Sequence, residues 1–286
     1  MVTQIPKKVF ILGGGFAGIR TAYLLSRTKQ NLDITLIDRE PFHALSSTFY
    51  EIATAFVPWE KEAVGKVLKE AATVPYEKIV DGTSVKFLQG IVTSIDAKEK
   101  SFSLADGTKG QADFLVLSLG SQTKNGSVLG ANRYAFSLHN FNQATILRSH
   151  IVSLFLRYRM EFLTTQQKAF TFAVVGGGVN GVEFAAELAV LIKHLCRLHN
   201  VNPSIPRVII FEETDSILRD LSPMLRTKGM SRLAELGVDI RLKEKITDVG
   251  EDYIVINDED RVSTMTTVWT AGVRANDVLL RSNFPI

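Results

Sequence analysis

Two sets of glycines, Gly13-x-Gly15-x-x-Gly18 and Gly176-x-Gly178-x-x-Gly181, each follow an apolar run and open a stretch of helical pattern. Glycine at this spacing suits one task, holding a pyrophosphate. The first glycine permits a tight turn, the second lets the backbone approach the phosphates, and the third lets the helix pack closely on its strand. The amides of Phe16 and Ala17 would then face an anion at a helix N-terminus. Glycine turns also occur in α/β proteins that hold no dinucleotide, so the neighbouring residues decide the reading. Val9-Phe10-Ile11-Leu12 and Phe172-Ala-Val-Val175 read as the buried parallel strands that must precede such turns. Asp38 ends a second apolar strand, Asp33–Asp38, 20 residues past Gly18, where a carboxylate would accept ribose hydroxyls. Val208-Ile-Ile-Phe-Glu212 supplies the second acid, with Glu213 the alternative if the register shifts by one. A carboxylate there accepts from a 2′-hydroxyl and repels a 2′-phosphate, which favours NADH over NADPH. Two such turns in one chain imply two dinucleotides, one flavin and one nicotinamide.

Other candidates for chemistry are few. Cys196 is the single cysteine, so an internal disulfide and a redox-active cysteine pair are both excluded, and its place on a helical stretch reads as packing. His43 follows the first acid closely enough to relay a proton, although a lone histidine more often has a structural role. Glu183 and Glu187 lie one turn apart on the second helical stretch. No metal ligand set is assigned.

The elements that must position these residues repeat. Each half reads as strand, glycine turn, helix, strand ending in an acid, antiparallel meander, and a strand ending in glycine. In the first half the meander is Val85–Asp96 and Ser101–Leu104 with a turn at Asp106-Gly107, closing on Phe114–Gly120. In the second it is Val238–Lys243 and Tyr253–Asn257, closing on Val268–Gly272. The fold class expected is α/β, two Rossmann-like dinucleotide-binding domains each with a β-meander, the nicotinamide domain inserted in the flavin domain. The boundaries expected are residues 1–139, 140–272 and a returning segment 273–286. Between the halves, residues 140–163 place Leu147, Ile151, Leu154, Phe155, Tyr158 and Phe162 on one helical face, accompanied by Arg148, Arg157 and Arg159. That face either docks on the nucleotide domain or lies on a lipid surface. Residues 61–72 read as another, exposed helix ended near Pro75.

Composition bounds the rest. The 286 residues, 45% hydrophobic, suffice for about two domains with proper cores. The 33 basic and 30 acidic residues leave a net charge of +3 with no basic tract, which argues against nucleic acid as a partner. The first strand begins within nine residues of Met1, leaving no room for the apolar region of a signal peptide, so cytoplasmic synthesis is expected. No apolar run approaches the roughly 18 to 20 residues that span a bilayer, so any membrane contact is expected to be peripheral.

On these residues the chain resembles the type II NADH dehydrogenases, single-subunit flavoproteins that oxidise NADH and reduce quinone. The carriers are Gly13-Gly-Gly-Phe-Ala-Gly18, Leu36-Ile-Asp38 with Pro41-Phe-His43, Tyr50-Glu-Ile-Ala-Thr-Ala55, Gly176-Gly-Gly-Val-Asn-Gly-Val-Glu183 with Phe184-Ala-Ala-Glu-Leu188, and Trp269-Thr-Ala-Gly-Val-Arg274. The resemblance implies that Gly13, Gly14, Gly15, Phe16, Ala17, Gly18, Asp38, Arg39 and Gly120 hold FAD, with Ala53 and Thr54 bordering the flavin ring. It implies that Gly176, Gly178, Val179, Asn180, Gly181, Glu212, Ala271 and Gly272 hold NADH. Glu183 matches a glutamate beside the nicotinamide, where a helix N-terminus would keep it ionised; a solvated helix acid is the plainer alternative.

Two half-reactions are therefore expected, hydride from NADH to flavin and then electrons from flavin to quinone, on the inner face of a membrane in peripheral contact. A homodimer is left open. Two other functions stay open: a flavoprotein reductase of a small redox protein such as ferredoxin or rubredoxin, and a non-catalytic NAD(H)-binding module. The chain departs from the family pattern in lacking any Gly-Asp dipeptide, in ending 14 residues past Gly272, in Ser118-Leu119-Gly120 where Ala-Thr-Gly is usual, and at Ser127 to Leu129 where a Phe-Gly-x-Pro pattern is usual. These departures give the expectation of a sequence shortened at its C-terminal side, with the quinone-contacting and anchoring parts absent.

Overall fold

The computed structural model describes residues 5–56, 64–124, 128–159 and 170–282. The chain forms two compact units: residues 1–45, 73–122 and 274–286 make the first, and residues 46–72 and 123–273 the second.

In the first unit four strands form a parallel sheet in the order Val85–Gln89, Leu32–Asp38, Lys7–Leu12, Phe114–Leu117. Alternation decides which side chains go to which face. Val9, Ile11, Ile34, Leu36 and Val85 pack with Ala22 on the face that carries the helix Phe16–Ser26. Leu12, Ile37, Val92, Ile95, Phe102 and Leu104 fill the opposite face, under a three-stranded antiparallel meander of Val92–Asp96, Ser101–Leu104 and Lys109–Gln111. Gly107, at φ +88°, makes the turn expected at Asp106-Gly107.

The second unit repeats the plan with a parallel sheet ordered Phe136–Ser137, Thr266–Trp269, Thr171–Val175, Arg207–Glu212, Asp239–Leu242. Its meander is Ile246–Val249, Tyr253–Ile256 and Asp260–Ser263. Every residue of Thr171–Val175 and of Thr266–Trp269 is buried, as a central parallel strand covered on both faces requires. The repeat is unequal at one edge. Thr266–Trp269 is flanked on both sides, whereas its counterpart Phe114–Leu117 is the last strand of its sheet among the described residues, with Phe114 56% exposed.

One expectation is overturned. Val85–Gln89 and Asp239–Leu242 belong to the parallel sheets, not the meanders, because each pairs in register with the acid-ended strand before it (Asp38 with Gln89, Glu212 with Leu242). The two compact units divide the chain at residues other than 139 and 272. Residues 46–72 go with the second unit because the helices Phe49–Thr54 and Val64–Ala72 turn Phe49, Ile52, Ala53, Leu68 and Ala72 inward in that unit. Residues 123–139 also fall in the second unit, where Phe136–Ser137 joins the sheet beside Thr266–Trp269. The helix Phe141–Arg159 docks its apolar face inside the second unit: Leu147, Ile151, Leu154 and Phe155 are fully buried. Phe162, residues 61–63 of the other expected helix, and Ser127 lie outside the described residues.

Candidate functional site

The first glycine turn is tight for stated reasons. Gly13 sits at φ +104°, and a Cβ there would stand 2.2 Å from the Ser118 carbonyl oxygen. A Cβ on Gly18 would stand 1.9 Å from the Gly13 oxygen, so the helix approaches its strand as closely as only glycine allows. Gly15 differs from both. A Cβ there meets nothing within 4 Å, and Gly15, Phe16 and Ala17 are exposed. The helix they open has no side-chain cap, so its first amides remain for an anion. Asp38 Oδ2 accepts from the Gly14 amide at 2.6 Å and Oδ1 from the Glu40 amide at 3.0 Å. Arg39 is exposed beside it, and Gly120 turns at φ +70°.

Side chains brace this loop from behind. Tyr76 donates its hydroxyl to the Gly14 carbonyl at 2.6 Å, and His43 Nδ1 reaches the same oxygen at 3.0 Å. A carbonyl only accepts, so Nδ1 is the donor to it, and the contact suits the structural reading of the buried His43. Burial, reinforced by the Asp38 carboxylate, pushes the Tyr76 phenol far up, so it stays a donor. Ser118 Oγ reaches the Gly13 and Leu12 carbonyls at 2.7 and 3.0 Å.

The second turn copies the first. Gly176 sits at φ +107° against Ala271, with 2.9 Å from its ideal Cβ to the Ala271 Cα, and a Cβ on Gly181 would stand 2.1 Å from the Gly176 oxygen. Gly178 again meets nothing within 4 Å, and Gly178, Val179 and Asn180 are exposed at an uncapped helix start. Glu212, rather than Glu213, supplies the acid. Its Oε2 accepts from the Gly177 amide at 2.6 Å, and its Oε1 from the Thr214 amide and hydroxyl at 2.9 and 2.7 Å. Thr270 stands where Ser118 does, its hydroxyl reaching the Val175 and Gly176 carbonyls at 2.8 and 3.2 Å. Gly272 turns at φ +69°. Both loops fit a dinucleotide: open backbone at the second glycine, uncapped amides, and an acid locked to the turn.

Glu183 lies on the helix Val179–His199, exposed, within the field of Tyr50 and Glu51 from the short helix Phe49–Thr54. Partial burial and then the Glu51 carboxylate push the Glu183 carboxyl up. Both causes act in the opposite direction to the helix N-terminus, which favours the charged form. The Tyr50 phenol is raised as well, by burial and then by Glu183, Glu51 and Glu187. Ala53 is fully buried and Thr54 nearly so, its hydroxyl donating to the Tyr50 carbonyl at 2.8 Å. Their side chains are thus turned into the second unit. Cys196 is buried and its thiol raised by desolvation, consistent with packing. Among the described residues no cluster of His, Cys, Asp and Glu could hold a metal.

Sequence reasoning missed Tyr76, Ser118, Thr270, Glu51 and Arg148. Ser118 and Thr270 were within reach, since each stands two residues before the glycine that ends its half of the repeat. Tyr76 arrives through tertiary packing and carries no local signal, while Glu51 and Arg148 stand in stretches the sequence singled out without giving them these partners.

The family profile described as pyridine nucleotide-disulphide oxidoreductase matches residues 7–285. A type II NADH:quinone oxidoreductase of Staphylococcus haemolyticus is 30% identical over 287 residues, taking in 98% of this chain and 68% of that protein. Among solved structures, NDH2 of Plasmodium falciparum in complex with NADH superposes with a TM-score of 0.83 at 19% identity, covering 97% of this chain and 57% of that one. A ferredoxin reductase of Rhodopseudomonas palustris superposes with a TM-score of 0.69 at 19% identity, covering 98% of this chain and 62% of that one. The chain thus spans about two thirds of its sequence relative and less of the solved chains.

Proposed function

The chain belongs to the pyridine nucleotide-disulphide oxidoreductase family, and from that premise we propose that it is an FAD-dependent oxidoreductase that takes hydride from NADH and passes electrons to a quinone. The observation that carries the reading is the pair of matched glycine turns, each with an open second glycine and an acid bound to the loop amide. These 286 residues hold a single cysteine, Cys196, and so no dithiol pair through which electrons could pass within them.

In this reading Gly13, Gly14, Gly15, Phe16, Ala17, Gly18, Asp38, Arg39 and Gly120 serve FAD, and Gly176, Gly178, Val179, Asn180, Gly181, Glu212, Ala271 and Gly272 serve NADH. FAD when bound accepts two electrons as hydride and returns them to the acceptor. Hydride transfer needs no general acid at the carbon that gives it up, so the protein's work is binding and orientation. Asp38 and Glu212 present carboxylate to ribose while pinning the turns, and Glu183 accepts from the carboxamide when ionised. The segment bearing Ala53 and Thr54 contributes backbone, since their side chains face inward.

No described helix is long and apolar enough to cross a membrane, and contact with a bilayer carrying the quinone is peripheral in this account. The acceptor is tested by comparing NADH-driven turnover on a water-soluble quinone with turnover on a small iron–sulfur protein. Faster quinone turnover is expected; faster reduction of the iron protein would replace the quinone with a ferredoxin-type acceptor.

A further inference from the structure

Among the described residues Arg148 is the one Lys, Arg, Asp or Glu more than nine-tenths buried, and it lies in the apolar face of Phe141–Arg159 beside the fully buried Ala144, Leu147 and Ile151. Burying a guanidinium is expensive unless its donors are directed at acceptors. Arg148 Nε donates to the Ala55 carbonyl at 2.9 Å, where the helix Phe49–Thr54 ends. A helix C-terminus is where a cation is best tolerated, because the last carbonyls lack intrahelical donors. One residue on, Phe56 stacks on His194 of the helix Val179–His199, with ring centroids 5.0 Å apart and planes at 27°. The exit of a six-residue helix is thus held at two successive residues by two long helices of the same unit.

We propose that Arg148 is a positioning residue that, through the Ala55 carbonyl, fixes the Phe49–Thr54 helix and with it Tyr50 and Glu51 beside Glu183. A leucine or methionine would fill the same space in the apolar face but leave the carbonyl and the helix exit unheld. So short a helix has little stability of its own, and its placement must come from such anchors. The proposal rests on the reading of Glu183 as the nicotinamide-side group, because only then does the placement of its neighbours bear on hydride transfer.

The test compares Arg148→Met and Arg148→Lys with the unaltered chain by two measurements. The first is amide hydrogen exchange over residues 50–56 in protein freed of cofactors, which does not depend on the functional reading. In Arg148→Met exchange there is expected to quicken at least tenfold while the strand Thr171–Val175 is unaffected; Arg148→Lys, which keeps a donor, recovers most of the protection. The second is steady-state oxidation of NADH by ferricyanide with FAD supplied. Arg148→Met is expected to lower kcat by roughly ten- to a hundredfold, the scale of a misplacement near 1 Å, with KM for NADH within about threefold, and Arg148→Lys to lie between. Unchanged exchange overturns the proposal, and so does faster exchange with unchanged kcat. A chain that takes up neither FAD nor NADH refutes the functional reading instead, and exchange still decides whether Arg148 holds the helix. If Arg148→Met does not fold, Arg148→Lys decides: protection over residues 50–56 and kcat that both stay within about tenfold of the unaltered chain uphold the donor's role, and a larger loss of either refutes it.

Discussion

At the scale of single residues, the three glycines of each turn do different work, and the difference can be measured. Gly15 and Gly178 have extended backbone (φ −66°, ψ −175° and φ −71°, ψ 178°) that any residue adopts, with empty space where a Cβ would stand. Alanine at either position is expected to leave thermal unfolding unchanged or to add about 0.4–1 kcal/mol through the unfolded state. Binding should suffer all the same, because the methyl group takes the space of the phosphates. Gly15→Ala is expected to weaken FAD, and Gly178→Ala to weaken NADH, each at least tenfold by titration, with the other cofactor unaffected. Loss of both, or of neither, would contradict the assignment of the two turns. The acids near Glu183 give a second test. Desolvation and Glu51 keep the Glu183 proton to higher pH than an ordinary glutamate. If the ionised carboxylate holds the carboxamide, NADH affinity falls as pH drops through that raised value. Glu51→Gln removes one cause of the shift, so the fall should move to lower pH; a midpoint unmoved or moved upward would separate Glu51 from the site.

At the scale of elements, what could be read in the chain was what local pattern encodes. The strands Lys7–Leu12, Leu32–Asp38, Thr171–Val175 and Arg207–Glu212 were visible because unbroken apolar runs ending in glycine or an acid have few other solutions. Val85–Gln89 and Asp239–Leu242 were placed in meanders because a strand's partner is set by crossover through a helix, which alternation alone does not report. The same limit hid the acceptors of Tyr76 and Arg148, which lie 62 and 93 residues away in sequence. The amphipathic face of Phe141–Arg159 was legible, and the choice between protein and lipid as its partner is settled by burial: Leu147 and Ile151 are fully enclosed. Leu147→Ala or Ile151→Ala should therefore cost about 2–5 kcal/mol in denaturant unfolding. A cost below about 0.5 kcal/mol, the usual size for a surface position, would mean that this face is open.

At the scale of the whole molecule, the repeat is the organising fact. Each half builds a parallel sheet, a meander and a glycine turn, and each turn is locked by an acid to the second glycine of its Gly-Gly-Gly run and by a hydroxyl, Ser118 or Thr270, to the first. Two equivalent cradles with different acids and different neighbours suit two dinucleotides exchanging a hydride. The most direct measurement of that claim is the visible absorption spectrum of the purified protein supplied with FAD, recorded before and after NADH is added without oxygen. Flavin bands that persist after gel filtration and bleach on addition of NADH are the predicted result. A protein that retains no flavin, or whose flavin bands are unaltered by NADH, would contradict it.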